Sequence, residues 1–292
     1  MTQIHLSRST RNEWMKAIYE NGLVTCTEYS KKLSNKLFCA IEMEKHLGPC
    51  YENFFPKTLE LKSLVKKYNW LNKANRIEKT KSQISEDLKK EFPLGYIVKP
   101  AVGHSSGGRE AFNFYLSEDN FLRDFFEKTA TLVGQALIFQ DHLIKMANGA
   151  APEKPRSSPE LRIHSYENKV VSGASIARWR WSRLSKKQIQ QAETKVEDLL
   201  RLLPTEILVK QAFSFDVLLL PNLVRIVDIN TNQGLPHQWS GYMTRPRFLK
   251  AYTLHFEKYA GVEFTGLSSL VVKLGFGNFM KLLKKRHIEG IW

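Results

Sequence analysis

Residues 213–230 constrain the fold of this chain more than any other segment of its sequence. Two apolar runs, rich in aliphatic and β-branched residues, flank a Pro-Asn dipeptide, which predicts an antiparallel β-hairpin. Because the turn lies midway between Asp216 and Asp228, we expect these carboxylates to face each other across the hairpin. Asn230 lies two residues beyond Asp228, so its side chain points to the same face.

These three oxygen-bearing side chains predict a ligand site, because apolar strands have no packing use for them. Burying two carboxylates together without a counter-charge is strongly unfavourable. A hard divalent cation removes that cost, and an all-oxygen site suits Mg²⁺ bound to phosphates. The alternative is that these residues only end two strands at the surface.

A second strand, predicted over 94–100, delivers Lys99 to a loop of small residues at 101–108. Glycine and serine add little bulk, so their backbone N–H groups can approach phosphate oxygens, and the lysine ammonium attracts phosphate. The sequence has neither a P-loop nor a spaced Gly-x-Gly-x-x-Gly. Taken alone, the loop is also compatible with an ordinary glycine-rich connection.

Together the two motifs resemble the ATP-grasp superfamily over about residues 35–234: Lys99-Pro100 and a small-residue loop, then Asp216, then Asp228-Ile229-Asn230 ahead of a glycine. The resemblance implies an α+β fold in which two lobes with antiparallel sheets clasp ATP. It also implies ATP and Mg²⁺, with Mn²⁺ as a substitute, as cofactors. Too few residues precede Lys36 for the N-terminal substrate domain of most such ligases, so we expect that domain to be lacking.

The resemblance assigns roles residue by residue. As metal ligands it implies Asp216, Asp228 and Asn230. As nucleotide-binding residues it implies Lys36, Lys99, Gly103, Ser105, Ser106, Gly107, Gln140, Asp141, His142 and Leu143. As catalytic residues it implies Arg162, in a segment similar to the family's Asp-x-Arg, and Arg178 or Arg180 as the arginine facing the substrate or the transferred phosphate. Asp141 and Asp228 stand where the family more often has Glu, and the ribose-binding acid stays unassigned.

The chain divides into four predicted parts. We expect an N-terminal helical extension over 1–53, a small lid lobe over 54–140, a large lobe with the metal site over 141–255, and a basic helical tail over 256–292. Within them, patterning predicts one helix over 28–45, another over 59–68 and an amphipathic helix over 186–203. A hairpin is predicted to turn at Glu167-Asn168.

The charge balance points to an anionic partner, since 44 basic against 29 acidic residues leave a net charge of +15. A small-molecule or peptide carboxylate substrate, itself acidic, fits this excess. Nucleic acid is disfavoured: basic and aromatic residues alternate only at 178–183, which also fits a plain strand. The basic tail would suit an acidic membrane surface, although such segments more often cap their own domain.

The sequence has no apolar run near the roughly 20 residues of a membrane-spanning helix, and residues 1–14 lack the apolar core of a signal peptide. A cytoplasmic location is therefore expected. The three cysteines have spacings that suit neither zinc nor a disulfide framework.

The resemblance implies a ligase that forms an acylphosphate from ATP and a carboxylate, which an amine or thiol then attacks. Alignment and charge neutralisation suffice for such a reaction, so no protein nucleophile is required. Two alternatives stay open. One is an ATP-grasp kinase acting on a hydroxyl or sugar, and the other is a basic binding module with a decayed nucleotide site.

Overall fold

The computed structural model describes residues 1–6, 12–25, 27–60, 86–101, 112–114, 137–141, 143, 160–176, 185–220, 222–231, 246–274 and 276–288. Its strands are β1 (Thr2–His5), β2 (Thr58–Glu60), β3 (Tyr96–Pro100), β4 (Phe112–Phe114), β5 (Leu137–Asp141), β6 (Glu160–Tyr166), β7 (Lys169–Ile176), β8 (Ala212–Leu220), β9 (Leu223–Asn230) and β10 (Val262–Thr265). Its helices are α1 (Asn12–Glu20), α2 (Glu28–Leu33), α3 (Lys36–Leu47), α4 (Tyr51–Phe54), α5 (Lys186–Leu202), α6 (Thr205–Leu208), α7 (Pro246–Tyr259), α8 (Leu267–Leu274) and α9 (Phe276–Ile288), with a 3₁₀ turn at Gly48–Cys50.

Two four-stranded antiparallel sheets confirm the predicted α+β class. The larger sheet has the order β7-β6-β8-β9 and includes both predicted hairpins, while the smaller has the order β2-β5-β3-β4. The strands of the larger sheet fall between residues 160 and 230, and those of the smaller sheet between residues 58 and 141.

The larger sheet buries one face against helix α5, which matches the predicted amphipathic helix over 186–203. Ser185 begins α5 with a capping box, in which its side chain and that of Gln188 each bond the other residue's backbone. Ala192, Val196 and Leu199 of α5 join the core cluster that contains alternate residues of β6, β8 and β9. Alternation along a strand therefore leaves the opposite face of the sheet for the polar residues.

The N-terminal helices differ from the prediction, because 28–45 is not one helix. Helix α2 ends at Leu33 and α3 begins at Lys36. The Asn35 side chain accepts hydrogen bonds from the N–H groups of Leu37 and Phe38 at 3.0 and 3.1 Å, which starts a new helix. The helix predicted over 59–68 is also wrong at its start, since 58–60 is strand β2; residues 61–68 lie outside the described residues.

The N-terminal and C-terminal segments form one unit, which the sequence did not predict. Strand β1 pairs in parallel with β10, with Ile4 opposite Phe264. Both side chains are buried in a cluster that also includes Ile18 of α1 and Phe256 of α7. The segments predicted as a helical extension and a helical tail thus each contribute a strand to a shared two-stranded sheet.

In the parts of the chain that the structure describes, no helix has both the length and the apolar character required to cross a membrane.

His255 on α7 predicts that the stability of the unit formed by the N-terminal and C-terminal segments falls at acid pH. The side chain is buried, and burial, helped by the charges of Lys169 and Lys258, lowers its pKa from 6.5 to about 4. The unfolded chain therefore takes up a proton near pH 6.5 that the folded chain takes up only near pH 4. The stability contributed by the neutral ring is present above pH 6.5 and is lost as the pH falls towards 4.

We expect His255→Phe to reduce the loss of stability between pH 6.5 and 4. Urea unfolding at several pH values in this window measures the slope of the unfolding free energy against pH, which is independent of any uniform stability change. An unchanged slope in the variant would contradict the assignment.

Candidate functional site

The polar face of the larger sheet brings the two predicted carboxylates together. Asp216 of β8 is paired with Asp228 of β9, as the hairpin pattern predicted, and Asn230 is paired with Ser214 on the same face. The register shifts directly after the acid pair, since the next pair is Val217 with Ile226. This β-bulge bends the strand beside the acids, as bulges do near functional sites.

Arg162 completes an ion pair with Asp216. It lies opposite Asp216 in the β6–β8 register, and its Nε and Nη2 donate to the two carboxylate oxygens at 2.6 and 2.7 Å. Asp216 is 5% exposed, so this two-pronged contact supplies the counter-charge that its burial requires. Burial alone would lower the pKa of Arg162, but Asp216, with Asp228 and Glu160, raises it above its ordinary value, so the side chain stays charged.

Lys36 lies beside the other acid. Its Nζ is 3.9 Å from Oδ2 of Asp228, and the two side chains are 12% and 27% exposed. The backbone N–H of Lys36 donates to the carbonyl of Ala101 at 2.8 Å, which ties the start of α3 to the residue after β3. The early lysine, the late acid and the first residue of the predicted phosphate loop therefore meet at one place.

Cys39, one helical turn after Lys36, lies under this ion pair. Burial foremost, with the charge of Asp228, raises the pKa of its thiol to about 12. The thiol therefore stays protonated and packs in the core that supports α3.

The predicted adenine-binding segment is held against β2. Gln140 is buried and donates to Oγ1 of Thr58 at 3.1 Å. Oδ2 of Asp141 accepts from the N–H of Lys57 at 2.9 Å, and the N–H of Asp141 donates to the carbonyl of Lys57 at 3.1 Å. Burial raises the pKa of Asp141, while the Lys57 N–H opposes that shift. Both side chains thus fix the position of β5, and their contact with adenine stays a prediction.

An apolar cluster lies between this segment and the acids. Leu143 is 3% exposed and packs with Leu218 and Leu220 of β8. Leu218 is two residues from Asp216, so it lies on the same face of the sheet. Buried apolar side chains therefore border the acid pair on this face.

The structure adds a row of polar residues that the sequence did not single out. His164 and Ser214 are paired across β6 and β8, one position along the face from Arg162 and Asp216. Burial foremost, and the charge of Arg162, lower the pKa of His164 well below its ordinary value, so its ring is neutral. The alternation of residues in β6 indicates which of its side chains share a face, but it does not indicate that β8 is the neighbouring strand.

Asn230 and the next residue carry buried polar atoms that need a partner. Nδ2 of Asn230 and Oγ1 of Thr231 have no hydrogen-bond partner among the described residues. An amide can exchange its nitrogen and oxygen by rotation, so Asn230 can present a donor or an acceptor there. Unsatisfied buried groups of this kind are typical of sites that receive an external group.

Several predicted site residues are not placed. The backbone of Lys99 lies in β3 opposite Ile138, but its side chain is not described. The remaining ones lie outside the described residues: Gly103, Ser105, Ser106, Gly107, His142, Arg178 and Arg180. Their roles stay predictions.

The described site residues include both cations and oxygen-bearing side chains, and only the oxygens can hold a metal ion. Across the described ranges, no three His, Cys, Asp or Glu side chains gather to hold a metal ion by themselves. The predicted donor set instead combines two carboxylates with the Asn230 amide. Such an all-oxygen set suits Mg²⁺ that keeps its other coordination positions for water or phosphate oxygens.

Comparison with known proteins gives structural resemblance only. No family model matches the chain, and no curated protein matches it significantly. Similar solved structures include an N5-carboxyaminoimidazole synthase from Aspergillus clavatus, in complex with ADP and its ribonucleotide, at TM-score 0.43 and 13% identity over 74% of this chain. This chain spans about half of that protein, 50%.

Two others are a D-alanine–D-alanine ligase from Bacillus anthracis and a C-terminally truncated Cdc123 from Schizosaccharomyces pombe. The ligase has a TM-score of 0.45 and 11% identity, over 95% of this chain and 77% of that one. Cdc123 has a TM-score of 0.42 and 16% identity, over 74% of this chain and 92% of the Cdc123 chain. All three TM-scores lie below 0.5, so these likenesses carry no conclusion about function.

Proposed function

We propose that the chain is an ATP-grasp ligase, which binds Mg-ATP on the polar face of the larger sheet and activates a carboxylate for attack by an amine or thiol. The observation that carries this proposal is the cluster of Lys36 beside Asp228, with Arg162 held by Asp216. It combines cations for phosphates with oxygens for a metal at the point where the predicted glycine-rich loop begins.

The nucleotide would extend along one face of the sheet. We expect adenine to lie beside the apolar cluster of Leu143 and Leu218, because nucleotide pockets combine apolar walls with a few polar groups. Lys36 lies at the other end, where its ammonium would exchange Asp228 for phosphate oxygens. Asp228, released from this pair, would share a divalent cation with Asp216 and Asn230.

When bound, Mg-ATP supplies the phosphoryl group that converts a carboxylate to an acylphosphate. The chain contributes position and charge. Asp216 fixes the guanidinium plane of Arg162, which reduces the entropy lost when that side chain binds an oxyanion. His164 lies one position along the same face of β6 from Arg162, and its neutral ring adds no positive charge that would compete for an anionic group there.

Binding of Mg-ATP tests this proposal before any substrate is known. We expect Asp228→Asn to lower the affinity for Mg-ATP by about 10- to 100-fold, because one charged ligand is lost. The same variant removes the negative charge of Asp228 beside Lys36, so the affinity of the variant for ATP in EDTA should be equal to or higher than that of the wild type. Calorimetric titration with and without Mg²⁺ measures both.

Lys36→Met should weaken binding under both conditions, since the ammonium acts on phosphates directly. The matched control is Lys32→Met, on the exposed face of α2, which should bind as the wild type does. No ATP binding by the wild type, or equal losses in Lys36→Met and Lys32→Met, would count against the proposal.

The acceptor can be identified by ADP release. Pools of amino acids, peptides and sugar acids, each with and without amines, separate the ligase from a kinase. ADP formed only when a carboxylate and an amine or thiol are both present supports the ligase. A stable phosphorylated hydroxyl product formed without an amine supports the kinase instead.

A further inference from the structure

Helix α8 exposes leucines on one side. Ser269 and Val272 are buried on its inner side, while Leu267 is 53% and Leu270 40% exposed. Residues three apart on a helix lie on the same face, so the two leucines form one exposed patch. Exposed apolar patches beside polar residues commonly mark a contact surface.

Helix α9 places lysines next to this patch. It packs against α8 and buries Phe279, while Met280 is 38% exposed. Lys281 and Lys284 are exposed beside Met280. The apolar patch and the basic residues thus belong to two adjacent helices.

The charge of this region is entirely positive. No Asp or Glu occurs between Glu263 and Glu289, whereas that segment contains four lysines and one arginine. Lys273 is already paired with Glu257 and is not part of the surface. Lys281 and Lys284 of α9 are exposed and have no acidic residue within four positions in sequence, so the surface around them is complementary to a dense anionic layer.

We propose that α8 and α9 rest on the surface of an anionic lipid bilayer, with Leu267, Leu270 and Met280 in the interface and the lysines at the headgroups. Aliphatic side chains beside lysines suit insertion among acyl chains. Single-stranded nucleic acid would be expected to meet aromatic side chains for stacking instead, and the large apolar side chains described as exposed on this surface are leucine and methionine. The contact uses none of the residues of the proposed nucleotide site.

Sedimentation of the full chain with vesicles tests the contact. Vesicles of phosphatidylcholine with 30% phosphatidylserine should bind the chain, and pure phosphatidylcholine vesicles should not. Each lysine contributes about fivefold to such binding, so Lys281→Gln with Lys284→Gln should weaken it about thirtyfold. Raising the salt concentration should reduce wild-type binding.

The apolar part of the contact is tested separately. Leu267→Gln with Leu270→Gln keeps the charge of the chain and should weaken vesicle binding about tenfold. The matched control is Lys186→Gln with Lys187→Gln, at the exposed start of α5, which changes the net charge equally and should leave binding within about twofold of wild type. All variants should keep wild-type affinity for Mg-ATP.

Three results would overturn the proposal. One is equal binding to neutral and anionic vesicles, or no binding to either. Another is equal weakening by the α9 and α5 lysine variants, which would indicate only a net-charge effect. The third is tight binding to a fluorescent single-stranded RNA that depends on Lys281 and Lys284 but not on the leucines, with no vesicle binding at the same salt.

Discussion

Replacing Arg162 with methionine is expected to lower the free energy of unfolding by about 3 to 5 kcal/mol, because the variant leaves a buried carboxylate without its partner. Asp216 is 5% exposed, and each of its two carboxylate oxygens accepts a hydrogen bond from Arg162. Methionine fills much of the space but supplies no charge or donor. Urea unfolding of the full chain, followed by circular dichroism, measures the change.

Two further variants separate this effect from lost packing. Arg162→Met combined with Asp216→Leu should recover much of the loss, since it removes the unpaired charge as well. Arg201→Met on α5 removes an arginine paired with Asp198 at 2.8 Å, but that side chain is 69% exposed. It should cost less than about 1 kcal/mol. If Arg162→Met lowered the free energy of unfolding as little as Arg201→Met does, the buried Asp216 carboxylate would not need Arg162 for stability.

Gly266→Ala is expected to release β1 from β10, at a cost of about 3 kcal/mol. Gly266 has φ +92°, a conformation that L residues rarely adopt, and a Cβ there would lie 2.3 Å from the carbonyl oxygen of Leu6. The backbone at Leu6 must shift, although its N–H donates to the carbonyl of Thr265 at 3.1 Å. Since Ile4 and Leu6 are buried, the shift also exposes part of the core.

The matched control for this variant is Gly261→Ala. Gly261 also has a positive φ, +64°, but a Cβ there would have no atom within 4 Å. It should therefore cost only the backbone term, about 1 to 2 kcal/mol. Limited proteolysis and unfolding midpoints compare the two. Equal destabilisation by the two variants would show that the close approach of Gly266 to Leu6 does not contribute to the loss of stability.

Local patterning predicted the elements that carry the site but not all of their neighbours. The hairpin that pairs Asp216 with Asp228 was predictable, because two apolar runs and a short turn fix both register and face. The Arg162–Asp216 contact was not, since the two residues are 54 positions apart and alternation identifies a face, not an adjacent strand. Asn35 could have indicated the start of α3, because asparagine is a preferred residue at the N-terminal cap of a helix.

The pairing of β1 with β10 was hidden for a related reason. Each strand has only four residues, and they lie in segments with otherwise helical patterns. Short strands of this kind carry little periodic signal, and parallel pairing needs no nearby turn that would reveal it.

That pairing also sets an order for biosynthesis. Gln3 and Glu263, which face each other in the finished sheet, are 260 positions apart in sequence. At translation rates of roughly 5 to 20 residues per second, β1 is synthesised about 13 to 52 s before its partner. Throughout this interval the nascent chain carries an unpaired strand, and the unit around Ile4 and Phe264 closes only after both sheets of the preceding segments have been synthesised.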